Sequence, residues 1–427
     1  MEPANPSGFL ECDFNASFFT KVVKNICENA TFLGHKELSF SSEEGGLSGI
    51  SGRSNNSKAR VVGFRIFELR YIQPDQNEES RTRVVFKVKI KGCDTMDMMT
   101  VLFSSLGCSD IDKTLREKPF DTLKHLEQKE LAFFNVDHPT WKAIRPKAFM
   151  TLMNATRHIY LVAMEDLRSG SFTHLDTVMD PSPWQRDDVK DALQGIAAFH
   201  ALYYGNVGTI PEKVKGLIDS SNIEDPYNAA SARAFFRCVV ENIQKKHGNL
   251  LGEKAVSVLQ KSINNMDKVC AVLSNSMTTL IHGDFNIRNV CLRKDPKPGE
   301  SRMRAYDWEF LRVMCPQHDA AFFIAHILSE NDPIDVWSDY FEMYRQCFLA
   351  ELIKAGATED IQGTVKDRDN FKWVFDMCII EMLWNGVGVM LIVSKAHPLP
   401  FIPKLVKSVC RYLEYLSTIY AFLSDDL

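Results

Sequence analysis

The chain has 427 residues, of which 45% are apolar and 25% are charged, and these fractions are ordinary for a globular protein. A chain of this length is too long for one compact core and predicts two lobes that share a cleft. The net charge of −5 and the lack of any long basic block exclude an extended nucleic-acid surface.

The sequence also indicates a cytoplasmic protein. The N-terminus has no basic segment followed by an apolar one, so no secretory signal peptide is expected. The 11 cysteines are scattered, without a Cys-x-x-Cys pair, which predicts reduced and mostly buried thiols. The longest apolar stretch, 377–393, is interrupted by Glu381 and Asn385, so we expect a buried helix there and no membrane span.

The first part of the chain predicts a helix followed by strands. Apolar residues recur with a helical period over 15–28. Two strand-like runs, 59–69 and 83–90, flank a polar turn. A loop rich in Gly, Ser and Asn, 44–57, precedes them, and small residues of this kind let backbone N–H groups approach a phosphate. The same composition suits an ordinary solvent loop.

The rest of the chain predicts mainly helices. A helix is expected over 120–134, a buried strand over 158–167 and a further helix over 188–204. His200, on the apolar face of that last helix, is expected to be a packed core residue. From residue 331 to the C-terminus the pattern is helical throughout.

The most informative motif begins at Ile281 and reads Ile-His-Gly-Asp-Phe-Asn-Ile-Arg-Asn. Four residues separate Asp284 from Asn289, which is the spacing of a kinase catalytic loop, and Asp307 follows in Tyr-Asp-Trp-Glu. Phosphoryl transfer requires a carboxylate beside the attacking hydroxyl and oxygen ligands that hold Mg²⁺ against the phosphates. We therefore expect Asp284 to be catalytic and Asn289 and Asp307 to bind the metal.

This motif resembles the aminoglycoside phosphotransferase and choline kinase superfamily of small-molecule kinases, and within it the ecdysteroid-kinase-like branch. The likeness lies in His-Gly-Asp, the later Asn and Asp-Trp-Glu, and it extends over residues 40–330. It implies an α+β, bilobal protein-kinase-like fold. A small N-lobe with an antiparallel sheet is expected over 1–165, and a large, mainly helical C-lobe with the catalytic loop and acceptor site over 166–427.

The resemblance implies that a strand lysine contacts the α- and β-phosphates of ATP. Lys87 and Lys89 share one strand face because side chains alternate along a strand. Lys87 is preferred, since it follows three apolar residues, and Lys89 is the alternative. Glu130 is expected to pair with only one of them and hold its ammonium over the phosphates. Glu127 competes with Glu130 for this role, and an exposed Glu without a role is the remaining possibility.

Two other parts of the ATP site follow from the same resemblance. Gly52 and Ser57, in the loop rich in Gly and Ser, are expected to cover the phosphates. The backbone of Met164, Glu165 and Asp166 corresponds to the hinge between the lobes and is expected to bind adenine, so its extended conformation matters more than its side chains.

Four further residues lie within the motif or shortly after it. His282 is expected to brace the loop rather than to transfer protons. Arg288 could reach the γ-phosphate or an acidic substrate, or lie in solvent or a salt bridge. Glu309 could contact the metal through water or contact the acceptor. Asp319 opens an apolar run and is expected to cap the N-terminus of a helix.

The acceptor is the least determined part of the sequence. Families that bind amino or quaternary-ammonium alcohols use acidic and aromatic residues in the C-terminal helices, where cation–π and carboxylate attraction form the pocket. A neutral or cationic acceptor is therefore expected, although an aromatic stripe at helical spacing is more often core. The residues concerned are Trp373, Asp376, Glu381 and Trp384.

Together these features predict a kinase that uses ATP and Mg²⁺ to phosphorylate a hydroxyl of a small metabolite. A catalytically inactive nucleotide-binding or scaffold protein is the main rival, and it is disfavoured because Asp284, Asn289 and Asp307 are all present. Protein kinase activity is disfavoured as well, because no Asp-Phe-Gly or Ala-Pro-Glu segment follows the catalytic loop.

Overall fold

A computed structural model of the chain describes most of its length. The described residues are 8–38, 61–74, 78–89, 92–117, 125–168, 170–175, 183–219, 230–297, 299–396 and 398–424. Gly52 and Ser57, which the sequence assigns to the phosphate-covering loop, lie outside these residues.

The N-terminal part is built around one antiparallel sheet. Its strands lie in the order β1, β2, β3, β5, β4, so β3 is central. The strands are β1 (Thr31–Leu38), β2 (Gly63–Ile72), β3 (Glu79–Val88), β4 (Ala148–Asn154) and β5 (Ile159–Glu165).

The alternation of side chains along β3 gives the two faces of the sheet different partners. Val84, Phe86 and Val88 pack into a small aromatic core with helix α1 (Ala16–Ile26). Asn15 caps this helix, because its side chain accepts a hydrogen bond from the backbone of Phe18. The other face of β3 turns Lys87 towards the remainder of the chain, as the period of two requires.

The remainder is mainly helical. Between β3 and β4 lie α2 (Gly92–Ser105), α3 (Ser109–Glu117), α4 (Leu126–Phe134) and α5 (Pro139–Ile144). After β5 come α6 (Arg186–His200), α7 (Glu212–Asp219), α8 (Ala230–Leu251), α9 (Glu253–Asn264) and α10 (Met266–Ser274). The C-terminal helices are α11 (Gln317–Ile327), α12 (Ile334–Lys354), α13 (Glu359–Lys366), α14 (Arg368–Trp384), α15 (Gly386–Val393) and α16 (Ile402–Ile419).

Short strands frame the segment that carries the sequence motif. β7 (Thr279–Ile281) pairs with β10 (Arg312–Met314), and β8 (Val290–Arg293) lies between β6 (Phe172–Thr173) and β9 (Met303–Ala305). The motif therefore occupies the connection between β7 and β8, and Asp307 follows the end of β9.

The predicted α+β fold, with an antiparallel sheet and a mainly helical remainder, is confirmed. An antiparallel sheet comes first and a mainly helical part follows, and helices α1 (Ala16–Ile26) and α6 (Arg186–His200) occupy most of the ranges 15–28 and 188–204 predicted for them. The two early strands are present, although β2 begins and ends later than the predicted run 59–69, and β3 begins earlier than the predicted run 83–90.

One stretch among the described residues, Arg368–Val393, is long and apolar enough to cross a membrane by length and composition. In the structure 78% of its most apolar window is buried among other helices, which is usual for the core helix of a globular protein. None of the described cysteines forms a disulfide, and most of them are buried.

Candidate active site

The catalytic loop, residues 282–289, begins with a turn that only glycine can make. Gly283 has a φ of +81°, and a Cβ atom added there would lie 2.2 Å from the carbonyl oxygen of Phe310. Both the left-handed backbone and the close approach exclude larger residues. The turn places the next residue, Asp284, beside the segment that carries Asp307.

Asp319 of helix α11 anchors this loop. Its carboxylate accepts hydrogen bonds from the backbone N–H groups of His282, at 2.7 Å, and Gly283, at 3.0 Å. His200 lies 3.1 Å away through Nε2. Burial alone would raise the pKa of this carboxyl, but the hydrogen bond from His200 and the nearby His318 ring hold it far below its usual value.

The expectation that Asp319 is a helix N-cap is wrong. Pro316 occupies the cap position and Asp319 is the third residue of α11, so its carboxylate turns away from the end of its own helix. It satisfies the backbone of the catalytic loop instead. His200 is a fully buried core residue as predicted, with the added role of contacting Asp319.

His282 braces the loop from inside. The backbone N–H of Asp284 donates to its Nδ1 at 3.3 Å, and its Nε2 donates to the carbonyl oxygen of Tyr306 at 3.0 Å. The ring also packs against Trp308, with centroids 4.3 Å apart. Burial lowers the pKa of His282, so the neutral ring with a proton on Nε2 fits both contacts. These contacts link the two halves of the motif.

The carboxylate of Asp284 is held by two asparagines of its own loop. Asn286 donates to Oδ1 at 3.0 Å and Asn289 donates to Oδ2 at 2.8 Å. Burial and the nearby charge of Asp307 raise the pKa of Asp284 to about 7, against the opposing effects of Arg288 and the two amides. A fixed carboxylate with such a pKa is suited to accept a proton near neutral pH.

Asp307 and Glu309 lie on a tight turn after β9. Asp307 has a left-handed backbone, with a φ of +68° and a ψ of +51°, and a short 3₁₀ helix, Trp308–Phe310, follows it. Trp308 is buried and stacks on Phe133 of α4, with centroids 4.1 Å apart. Its backbone N–H donates to Glu130 at 3.2 Å, so α4 fixes the position of both acidic residues.

Both strand lysines reach Glu130. The Nζ atom of Lys87 lies 2.9 Å from its Oε2, and that of Lys89 lies 2.6 Å from the same oxygen. Lys87 also contacts Asp307, and Lys89 contacts Glu309. The expectation that only one lysine lies beside Glu130 is therefore wrong, because the two side chains share a face and Glu130 reaches between them.

These five charged side chains form one coupled group. Burial opposes the charge of Lys87, but Asp307, Glu130 and Glu309 raise its pKa well above the usual value. Burial likewise opposes the charge of Glu130, but Lys87 and Lys89 lower its pKa to about 2. Burial and the Asp307 charge raise the pKa of Glu309. The group thus keeps Glu130 ionised between two ammonium groups.

The acidic members of this group fit a hard divalent cation. Carboxylate oxygens of Glu130, Asp307 and Glu309 lie within 4.8 Å of one another, and no other such group occurs among the described residues. Glu130 already binds two lysines and Trp308, so Asp307 is the better metal ligand. Asn289 uses its Nδ2 for Asp284, which leaves Oδ1 as its ligand atom. Oxygen donors of this kind suit Mg²⁺.

The hinge residues lie at the end of β5. Met164 pairs with Val85 of β3, so the hinge adjoins the strand that carries the lysines. The backbone N–H of Glu165 donates to the carbonyl oxygen of Lys147 at 2.9 Å, so it is not available for a hydrogen bond to adenine. The Asp166 side chain accepts from Arg168. The side chains of Glu165, which accepts from the backbone of Lys147, and of Asp166 thus have local structural partners.

Three of the four residues expected to form the acceptor pocket take part in packing between helices instead. Trp384 is fully buried, and its Nε1 donates to Ser262 at 3.0 Å. Asp376 accepts from Tyr412 and Tyr420 at 2.8 and 2.7 Å, and Trp373 packs against Tyr420. These three belong to the packing among the C-terminal helices, so their assignment to a pocket is wrong.

Glu381 has a different environment, although it is also buried. It lies 3.6 Å from Nε2 of His318 and accepts from Asn385 at 3.1 Å. His318 in turn contacts Arg312 at 3.0 Å, and β10 pairs Arg312 with the residue that precedes the catalytic loop. Glu381 is thus buried and linked through His318 and Arg312 to the region behind the loop.

The sequence assigns no role to Asn286, and it does not predict that Glu130 contacts both lysines. Asn286 caps the 3₁₀ turn Ile287–Asn289, since its side chain accepts from the N–H of Arg288, while its amide group donates to Asp284. The preference of Asn for such cap positions was the available signal. Arg288 stacks on the ring of Phe401 at 3.6 Å, a contact between distant parts of the sequence.

Comparison with known proteins identifies a family model that matches the part of the chain carrying this site. The model of the ecdysteroid kinase-like family matches residues 112–357, which include the catalytic loop and the Asp307 turn. No curated protein matches the chain.

Two solved structures are similar over most of the chain. The GDP complex of wild-type aminoglycoside 2'-phosphotransferase-IIIa has 10% identity and a TM-score of 0.42, over 94% of this chain and 99% of that one. The microcompartment-associated aminopropanol kinase has 12% identity and a TM-score of 0.42, over 95% and 98%. At this similarity neither decides what this chain acts on. The family match, which spans more than half of the chain, does decide its kinship: the chain belongs to the ecdysteroid kinase-like family.

Proposed function

We propose that the protein is an ATP-dependent small-molecule kinase that uses Mg²⁺ to transfer the γ-phosphoryl group of ATP to a hydroxyl of a small metabolite. The observation that carries the proposal is the convergence of Asp284, Asn289 and Asp307 with the Lys87–Glu130 pair. A carboxylate held for an acceptor hydroxyl, a metal-ligand pair and a paired lysine are the parts that phosphoryl transfer requires.

In this proposal Asp284 orients the acceptor hydroxyl and accepts its proton. The two asparagine amides fix its carboxylate, so little reorganisation is needed when the hydroxyl arrives. The pKa of about 7 leaves much of Asp284 ionised at neutral pH while keeping it basic enough to take a proton.

The nucleotide is assigned to the other side of the cluster. Lys87 is proposed to contact the α- and β-phosphates, and Glu130 to hold its ammonium in place. Mg²⁺, held by Asp307 and Asn289, would neutralise charge on the phosphates when bound. Gly52 and Ser57 remain proposed phosphate contacts, and the backbone of Met164 and Asp166 the proposed adenine contact.

The proposed acceptor is an uncharged or cationic hydroxylated metabolite. The family is named for ecdysteroids, which are polyhydroxylated steroids, so such compounds belong among the first to be tested. A cytoplasmic location is part of the proposal and is supported by the free state of the described cysteines. Cell fractionation would test it, and recovery of the protein in a secreted fraction would contradict it.

The test of the function is a screen for ATP consumption with a library of hydroxylated metabolites that includes ecdysone. We expect ATP turnover that depends on both Mg²⁺ and one class of acceptor, and that is lost in Asp284→Asn. Nucleotide binding without turnover of any library compound would reject the proposal and favour the inactive nucleotide-binding protein.

A further inference from the structure

His326 is a buried histidine, and only one of its two ring nitrogens has a hydrogen-bond partner among the described residues. Its side chain is only 3% exposed. Nδ1 lies 2.7 Å from the carbonyl oxygen of Phe322, and since a carbonyl only accepts hydrogen bonds, Nδ1 carries the ring proton. Nε2 is then a buried acceptor, and it has no hydrogen-bond partner among the described residues. A buried acceptor of this kind costs free energy unless something donates to it.

The position of His326 connects it to the catalytic loop. It follows Asp319 by seven residues on α11, so the two side chains lie on the same face of the helix, about 10 Å apart along its axis. Asp319 binds the start of the loop, and α11 also contacts the 3₁₀ turn at its end, Ile287–Asn289. The face that carries His326 is therefore the face that supports the loop.

Aromatic rings surround the ring of His326. Phe322 meets it edge to face, with centroids 4.5 Å apart, and Phe401 lies 6.1 Å away. The guanidinium of Arg288, in the catalytic loop, lies over the ring of Phe401, 3.6 Å from its centre. The ring of His326 thus lies in an aromatic cluster that also contacts the loop carrying Asp284.

The positive charges near His326 determine which chemical group can donate a hydrogen bond to its Nε2. Burial, Arg288 and Lys404 together lower the pKa of His326 well below its usual value, so the ring stays neutral. The same positive charges disfavour an ammonium group as the donor, whereas a neutral hydroxyl carries no such penalty. Arg288 also lowers the pKa of Asp284, so its charge acts on both the proposed base and His326.

We infer that His326 is a specificity-determining residue of the acceptor site, and that its Nε2 accepts a hydrogen bond from a neutral hydroxyl of the acceptor other than the one phosphorylated. This inference rests on the proposed kinase function. Phe322 and Phe401 would hold the apolar body of the acceptor, with one hydroxyl at His326 and another at Asp284. The proposed function allows a neutral or a cationic acceptor. This inference requires the part of the acceptor beside His326 to be neutral.

The experiment combines substitutions of His326 with deletion of single hydroxyls from the acceptor. The probe is ecdysone with its singly deoxygenated analogues, or the best acceptor of the ATP-consumption screen with its own deoxy analogues. His326→Phe removes the acceptor nitrogen, and His326→Gln restores an acceptor near the position of Nε2. Ser408→Ala is the matched control, because Ser408 is also fully buried and its hydroxyl has no partner among the described residues.

We expect His326→Phe to raise the KM for the acceptor roughly tenfold, with the KM for ATP unchanged, and His326→Gln to recover most of that loss. One deoxy analogue should lose a similar factor with the wild-type protein and nothing further with His326→Phe, which is the signature of a direct contact in a double-mutant cycle. Thermal unfolding of each variant shows whether it folds, and if His326→Phe does not, the smaller His326→Leu, which also lacks an acceptor nitrogen, is tested with the same analogues.

Two results would overturn the inference. If the wild type phosphorylates an acceptor and every deoxy analogue shows additive losses with the His326 variants, then His326 does not contact the acceptor and the kinase function stands. If the wild type neither binds nor phosphorylates any hydroxylated compound, the proposed function itself fails and the inference fails with it.

Discussion

Asp284 is the residue whose environment makes the sharpest prediction about pH. Its pKa is raised to about 7, and only the ionised carboxylate can accept the proton of an acceptor hydroxyl. The value of kcat/KM for the acceptor should therefore fall as the pH drops through about 7 and level off above it, since kcat/KM reports the pKa of the free enzyme. A profile of initial rates between mildly acidic and mildly alkaline pH measures this.

The matched substitution for this prediction is Asp284→Asn. The amide keeps the size of the side chain but cannot accept the proton, so turnover should fall by at least ~10²-fold while ATP binding changes little. Asp295→Asn, at an exposed position, should leave turnover unchanged. Wild-type turnover by Asp284→Asn, or an acid limb unrelated to a pKa near 7, would contradict the role assigned to Asp284.

The two lysines differ in their second partner, and this predicts unequal effects. Lys87 contacts Asp307, the proposed metal ligand, whereas Lys89 contacts Glu309. Lys87→Ala should therefore raise the KM for ATP roughly tenfold more than Lys89→Ala. Lys142→Ala is the control, because Lys142 pairs with Asp137 at an exposed position. These effects are measured by steady-state kinetics. Reversed effects of the first two substitutions would move the phosphate contact to Lys89, and equal effects would contradict the preference for Lys87.

At the scale of elements, the turn that begins the catalytic loop predicts a large effect of a small substitution. Gly283→Ala forces a Cβ into the carbonyl of Phe310 at a left-handed backbone. We expect it to cost about 2 kcal/mol or more of unfolding free energy and to lower kcat. Gly363→Ala should instead stabilise the protein by about 0.5–1 kcal/mol, since it lies within helix α13 with open space around it.

Chemical denaturation of both alanine variants measures these effects. If Gly283→Ala retained wild-type stability and kcat, the loop would have to adopt another backbone at this position, and the assignment of its geometry would fail. If Gly363→Ala were equally destabilising, the loss at Gly283 could not be attributed to the loop.

The elements also show which parts of the molecule a sequence can predict. Helix α1, strand β3 and helix α6 follow from hydrophobic periodicity, because local spacing determines which side chains share a face. The spacing of Asp284 and Asn289 is equally local, and the structure joins these residues by hydrogen bonds within one loop.

Partners distant in sequence explain the errors. Asp319 was expected at the end of its own helix, but its hydrogen-bond partners lie 37 and 119 positions away. Trp384 has the helical spacing of a pocket residue, yet nearly all of the last three turns of α14 are buried. Periodicity therefore cannot distinguish a core face from a pocket face on this helix.

At the scale of the whole molecule, the cluster of Lys87, Lys89, Glu130, Asp307 and Glu309 joins the sheet to a segment far along the chain. Lys87 and Lys89 come from the sheet, and their partners Asp307 and Glu309 lie 220 positions further along. Glu130 of α4 lies between them and also binds the backbone of Trp308. No local segment of the chain can form this cluster alone.

This separation has a consequence for the order of events when the protein folds. Contacts between distant positions form late, because the chain must first lose the entropy of closing a long loop. During refolding from denaturant, helical circular dichroism should therefore recover before nucleotide binding, and Lys87→Ala should leave the rate of helix recovery unchanged. Binding that returned together with the first helical signal would mean that the cluster forms early. In the expected order, the protein spends the earlier part of its folding with helices in place and without its proposed nucleotide site.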